Sequence, residues 1–300
     1  MPRIDVEITH PDRVLFPGPS SQKGITKRDL VAYYGEVADT MLGHLRGRAL
    51  NVERFPHGIG EKGFIQQDFA DSLPDWMGRV EVPKEGGTVV HPVAERPEAL
   101  RWLANQNGIT LHAWQSRQDH LNNPNRLVFD LDPSDSDFAV VRATARAVAG
   151  VLHDLGLVCY VQTTGSRGLH VVAPLRADTY FDTARQFARD VAEVVVADDA
   201  AHRTVEVRKE KRGGRVYLDI MRNTYAQTAV APYSVRARAG APVATPLEWD
   251  ELDTRGLRAD RFTIRDVPER LAGQRDPWAD MSRHARSLTG PLRRVASLRA

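Results

Sequence analysis

Apolar residues recur at helical spacing between positions 26 and 45. Leu30, Val31, Tyr34, Val37, Ala38, Met41 and Leu42 fall on one stripe, and Thr26 offers an N-cap hydroxyl. The pattern predicts a helix over 26–45. Short apolar runs with strand character, separated by Gly and Pro, follow at 48–55, 63–69, 79–83 and 88–93, and 96–107 again reads as helix. Together these segments predict a mixed α/β module. Further on, 126–131 reads as a strand. Phe138, Val141, Ala145, Val148, Leu152 and Leu155 mark a helix over 137–155 that Gly156 ends. Strands at 157–163 and 169–175 are joined by the turn Gly165-Ser-Arg-Gly168, and 179–197 is helical. Finally, 204–209 and 215–220 flank Arg212-Gly-Gly-Arg215 as an expected hairpin.

The order of this second part, β-α-β-β-α-β, is that of a ferredoxin-like or RNA-recognition-type sheet. The expected organisation is therefore an α/β (α+β) chain with a module at 1–115 and a second at 116–300. In such a sheet the first strand is central and pairs with the third and the last. That places Asp130 and Asp132 on the central strand, His170 on one neighbour and Asp219 on the other.

Composition narrows the classes. Three hundred residues suffice for one large domain or two modest ones. No apolar run approaches the ~20 residues that span a bilayer, and Met1-Pro-Arg-Ile-Asp-Val-Glu7 does not read as a signal peptide. Cys159 is the single cysteine, so intrachain disulfides and cysteine-based zinc sites are excluded, and cytoplasmic residence is the expectation. Net charge is only +2, but 35 of the 41 basic residues are Arg, whose fork suits phosphate. Basic residues gather at 208–215 and again from Arg270 to Ala300, where seven Arg face two Asp. A solvated basic face accounts for either cluster equally well.

The chemistry concentrates in the run Arg126-Leu-Val-Phe-Asp-Leu-Asp132-Pro133. Residues i and i+2 of a strand share a face, so Asp130 and Asp132 point the same way. Two adjacent carboxylates repel unless a cation sits between them, and a hard divalent ion with oxygen ligands is the natural partner. The competing reading is a helix-starting turn, since Pro133-Ser-Asp-Ser-Asp137 has capping residues. A calcium loop is disfavoured because Pro133 falls inside it and its sixth-position Gly is Asp135. Asp219 lies inside the apolar Val216-Tyr-Leu-Asp-Ile220, an unfavourable place for Asp that makes a third carboxylate at the same site plausible. Gly165-Ser-Arg-Gly168 supplies close backbone approach and phosphate donors, with His170 two residues on. Carboxylates for metal beside a turn for an anion form the layout of two-metal phosphoryl or nucleotidyl transfer.

These residues carry a resemblance. Leu127-Val-Phe-Asp130-Leu-Asp132-Pro, Thr163-Thr-Gly-Ser166-Arg-Gly-Leu-His170-Val, Tyr217-Leu-Asp219 with Asn223, and Ala231-Pro-Tyr-Ser-Val-Arg236 resemble the polymerase domain of bacterial ligase D, in the archaeo-eukaryotic primase superfamily. The likeness extends to Thr9-His-Pro-Asp-Arg13, Thr26-Lys27, Tyr33-Tyr34 and Ile109-Thr-Leu-His112, and so covers the chain to about residue 250. It implies a primase-type catalytic core and a DNA repair polymerase that extends a primer at broken ends or short gaps, often with ribonucleotides. By match, Asp130, Asp132 and Asp219 would hold two Mn²⁺ or Mg²⁺ ions. Ser166, Arg167, His170 and Arg236 would hold the NTP or dNTP triphosphate, with Thr164 near the ribose. Arg13, Lys27 and His112 would grip a recessed 5′-phosphate on gapped or overhanging DNA, and Phe64 would stack on the template. A Ku-type end binder and an ATP-dependent DNA ligase are the implied protein partners, with residence at the bacterial nucleoid. The chain departs from the family pattern in having Arg13 where Lys is common, Ile65 where a second aromatic is expected, and a lengthened Pro17–Lys23 stretch in which Lys23 competes with Lys27 for its role. The 300 residues carry no ligase or nuclease module.

Three rival readings remain at this stage: a primase that starts chains without a primer, a non-catalytic DNA-end binding module, and an Asp-nucleophile phosphatase. The last should carry a Lys and a later acidic motif after its Asp-x-Asp, and no convincing pair follows Asp132. The binding module is disfavoured because three carboxylates facing DNA repel its phosphates unless metal neutralises them.

Overall fold

The computed structural model describes residues 4–18, 23–135 and 137–298. Of the lengthened Pro17–Lys23 stretch, residues 19–22 lie outside the described residues. The chain divides into two compact units: residues 1–114, 230–245 and 262–276 form one, and 115–229, 246–261 and 277–300 the other. The chain passes from the first unit to the second after residue 114 and returns to the first twice.

In the first unit the expected helix over 26–45 is two helices, Lys27–Glu36 and Ala38–Leu45, because Val37 leaves the helical region at φ −89°, ψ 0°. Thr26 caps the first through a reciprocal box. Its hydroxyl accepts from Asp29 N, and its own N–H donates to Asp29 Oδ2 at 2.8 Å. The apolar stripe predicted for this segment is the buried one: Leu30, Val31, Tyr34, Val37, Met41 and Leu42 join a core with Leu50, Val52, Leu100 and Leu103. A strand at Gly108–Trp114, not foreseen from the pattern, pairs antiparallel with Leu50–Arg54, which pairs in turn with Phe64–Gln66. Ile109, Leu111 and Ala113 alternate into the core, and the Tyr34 hydroxyl donates to Ile109 O at 2.6 Å. Gly78–Lys84 and Gly87–Val93 form a separate hairpin.

The second unit contains a six-stranded sheet in the order Arg203–Thr204, Val216–Asp219, Arg126–Pro133, Leu169–Pro174, Tyr160–Thr163 and Pro246–Leu247. The Asp130 strand is central, between the strands bearing His170 and Asp219. The helices Phe138–Asp154 and Phe181–Asp198 pack on this sheet through their apolar stripes. Asp137 caps the first of them, accepting from Ala139 N, so the turn after Pro133 does start a helix. Alternation leaves Val128, Asp130 and Asp132 on one face and Leu127, Phe129 and Leu131 on the other. At its Val128 end the first face packs on Val172, Trp278 and Met281; toward Asp130 and Asp132 it turns polar.

The expected hairpin at 204–220 is not formed. Arg203–Thr204 pairs in parallel with Val216–Tyr217, so the strands need a connection that reverses the chain twice. The connecting loop contains the short helical turn Lys209–Lys211. It is held by Arg212, which lies over the Tyr217 ring at 3.8 Å and donates to Glu206 O and Val207 O.

Candidate active site

Strand register builds the site. Asp219 is opposite Asp130, Asp130 is opposite His170, and His170 is opposite Gln162, so four polar side chains form one row across four strands. Asp132 lies one pleat further along the same face, opposite Tyr217. His170 and Asp130 are both buried, with Nε2 3.3 Å from Asp130 Oδ1. The other ring nitrogen, Nδ1, is 3.1 Å from Gln162 Nε2. A carboxylate only accepts, so Nε2 carries the proton and Nδ1 accepts from the Gln162 amide.

Directly opposed like charges destabilise a sheet. Here Arg222, which the sequence reading missed, lies against both: its Nε is 3.1 Å from Asp130 Oδ2 and 3.8 Å from Asp219 Oδ2. Two local devices hold the turn that carries it. Asp219 Oδ1 accepts from Met221 N at 2.8 Å. The fully buried Asn223 side chain accepts from Val128 N at 2.8 Å and donates to Val128 O at 2.7 Å, replacing strand pairing past Asp219. The signal for Arg222 was its i+3 spacing from Asp219; Gln162 shows only through register.

The three carboxylates differ electrostatically. Burial opposes ionisation of Asp130, but His170 and Arg222 outweigh it and hold this carboxyl well below its usual range. Asp132 is pushed up to about 6 by burial and by the Asp130 charge. Asp219 is also raised, chiefly by burial. The site therefore has more negative charge than its cations balance. Among the described residues no three His, Cys, Asp or Glu side chains are gathered into a ready cage for an ion. The donor set, three carboxylates with two disfavouring ionisation, still fits a hard divalent cation by its chemistry.

The Gly165–Gly168 turn joins the Gln162 and His170 strands. Thr164 staples it from within: its hydroxyl donates to Gly168 O at 3.1 Å and accepts from Ser166 N and Gly168 N. Ser166 is half-buried and Arg167 is exposed. A side chain at Gly168 would collide with Leu131 O, so this turn reaches the central strand only with glycine there.

Arg236, the remaining nucleotide candidate, stands in the first unit, as do the 5′-phosphate and template candidates. Lys27 N donates to Arg13 O, which brings those two residues together. Lys27 is almost fully buried, its ammonium donating to Asn105 O at 2.9 Å and Thr9 Oγ1 at 3.3 Å. Burial and then the charges of Arg13 and Arg54 lower its pKa. Arg54, also unpredicted, lies 5.6 Å from the centroid of the exposed Phe64 ring and donates to Gln66 Oε1. His112 is opposite Asn51 on the neighbouring strand. Lys23 is exposed.

A primase-type sheet with carboxylates converging beside a glycine turn defines a nucleotidyltransferase of the primase–polymerase class. Residues 26–278 match the family described as LigD, primase-polymerase domain, and the chain belongs to that family. It is 36% identical over 280 residues to the multifunctional non-homologous end joining DNA repair protein LigD of Mycobacterium tuberculosis, covering 90% of this chain and 36% of that protein. It is 30% identical over 282 residues to the bifunctional non-homologous end joining protein LigD of Bacillus subtilis, covering 93% of this chain and 44% of that protein. The chain thus spans about a third to under half the length of these relatives. Among solved structures, the polymerase domain of Mycobacterium tuberculosis ligase D in complex with DNA superposes with a TM-score of 0.86 at 34% identity, over 94% of this chain and 99% of that one.

Proposed function

We propose that this domain is a DNA repair polymerase that adds nucleotides, ribonucleotides by preference, to a primer 3′-hydroxyl at broken ends or short gaps. The observation that carries the reading is the row Asp219–Asp130–His170 with Asp132 beside it, next to the Gly165–Gly168 turn. Asp130, Asp132 and Asp219 are the residues that would hold two divalent ions, Mn²⁺ or Mg²⁺. When bound, these supply positive charge at the 3′-hydroxyl and at the leaving pyrophosphate. Ser166 and Arg167 orient the triphosphate. Gln162 and Asp130 fix the His170 ring between them.

Arg13, Lys27 and His112, joined by Arg54, are suited to a recessed 5′-phosphate. Among the described residues the Lys27 ammonium donates to the neutral acceptors Asn105 O and Thr9 Oγ1, and it gains a counter-ion when an anion binds. Phe64 offers an exposed face for a template base. Gapped DNA is then the substrate, with a Ku-type end binder and an ATP-dependent ligase as partners.

The test is Mn²⁺- or Mg²⁺-dependent incorporation of labelled nucleotide on a gapped duplex with and without the 5′-phosphate. Asp130→Asn and Asp219→Asn should lose at least about 10³-fold in rate with DNA affinity retained. Full activity in either variant refutes the assignment.

A further inference from the structure

We propose that Arg222 is an internal counter-ion that a divalent cation must displace from Asp130 and Asp219, so that this residue sets how readily the site takes up metal. The inference rests on reading those carboxylates as metal ligands. Strand register forces the two carboxylates opposite one another whatever the ligand state. Without a cation they repel, and the guanidinium at 3.1 Å and 3.8 Å supplies that cation from within the chain. A metal ion needs the same oxygens. Asp130 has one oxygen toward His170 and the other toward Arg222, so an ion approaching from the Asp219 side meets the guanidinium first.

The backbone beneath Arg222 is fixed by Asn223 and by the Asp219–Met221 hydrogen bond, but the side chain is 37% exposed and has solvent to swing into. Displacement is therefore a rotamer change of one long side chain, with no strand moved. Arg222 lies within ion-pair reach of Asp130 and Asp219 and its charge reaches Asp132 as well, so its displacement opens all three carboxylates to an incoming ion. Because Arg222 and metal compete for the same oxygens, each lowers the affinity of the other by the same factor.

The experiment measures Mn²⁺ alone, without nucleotide or DNA, by electron paramagnetic resonance of the free ion with wild type, Arg222→Gln and Asp130→Asn. Thermal melting in chelator and in Mn²⁺ runs alongside. Arg222→Gln should bind Mn²⁺ about tenfold more tightly than wild type. It should also melt below wild type in chelator and recover when Mn²⁺ is added. Equal or weaker Mn²⁺ binding by Arg222→Gln, with binding lost in Asp130→Asn, overturns the counter-ion role and leaves the metal reading standing. Unchanged binding in Asp130→Asn removes the metal reading itself. Should Arg222→Gln not fold in chelator, the wild-type Arg222 Nε–H resonance is followed during titration with diamagnetic Mg²⁺. Displacement shifts it and speeds its exchange with water, and an unchanged resonance at saturation overturns the proposal.

Discussion

Gly168→Ala adds one methyl group where the Gly165–Gly168 turn meets the central strand. The new Cβ would stand 1.9 Å from Leu131 O and 3.0 Å from Leu131 C. Both contacts are backbone, so no side chain can rotate away. Leu131 lies between Asp130 and Asp132, and its strand is held on both sides by neighbouring strands. Relief therefore requires the turn or the strand to shift on the order of 1 Å, at a cost of ~1–3 kcal/mol. Either shift separates Ser166 and Arg167 from the carboxylates, and a misplacement of that size lowers turnover about 10²-fold. The assay pairs urea denaturation with steady-state primer extension. The control is Gly150→Ala, the same chemical change on an exposed helical position with nothing within 4 Å of the new Cβ. That variant should be stabilised by ~0.5–1 kcal/mol with unchanged activity. A Gly168→Ala protein with wild-type stability and wild-type kinetics would falsify the close approach and the role given to the turn.

Three further outcomes are expected. Asn223→Ala leaves Val128 N–H and C=O buried without their side-chain partner and should cost ~2–4 kcal/mol in chemical denaturation; a loss below about 0.5 kcal/mol would show the turn to be held otherwise. His91 is buried against Leu50 O, and burial lowers its pKa from 6.5. A lowered folded pKa favours the neutral ring, so stability is present above pH 6.5 and is lost as pH falls through the folded value. His91→Gln should flatten that decline, and an unchanged pH profile of the melting temperature would refute the assignment. Lys27→Met should keep binding to unphosphorylated gapped duplex while removing the gain from a 5′-phosphate, with the salt slope falling by about 1; equal losses on both duplexes count against the phosphate role.

Legibility varied from element to element. The stripe from Leu30 to Leu42 was legible as helical because helical periodicity is local, but the break at Val37 was not, since Gly35 sits inside the first helix and Val37 itself continues the apolar stripe. The strand Gly108–Trp114 escaped although Asn107-Gly108, with Asn107 at positive φ, marks the turn before it, because its short apolar run lacks a strict polar–apolar alternation. Thr204 and Val216 looked like hairpin ends because Gly213-Gly214 has turn chemistry, and it does turn, with both residues at positive φ. Only the parallel register of Thr204 against Tyr217 shows that the glycines sit within a loop.

At the site, Asp130, Asp132 and the Gly165–Gly168 turn were visible because each is a contiguous motif. Alternation alone put the first two on one face. Strand order suggested Asp219 as their neighbour. What sequence could not supply was register, which is set by pairing between segments about ninety residues apart in the chain. Register made Asp219 the direct opposite of Asp130 and aligned Gln162 behind His170. The tertiary fold then brought Arg222 onto both carboxylates, a pairing that side-chain reach decides and residue order does not record.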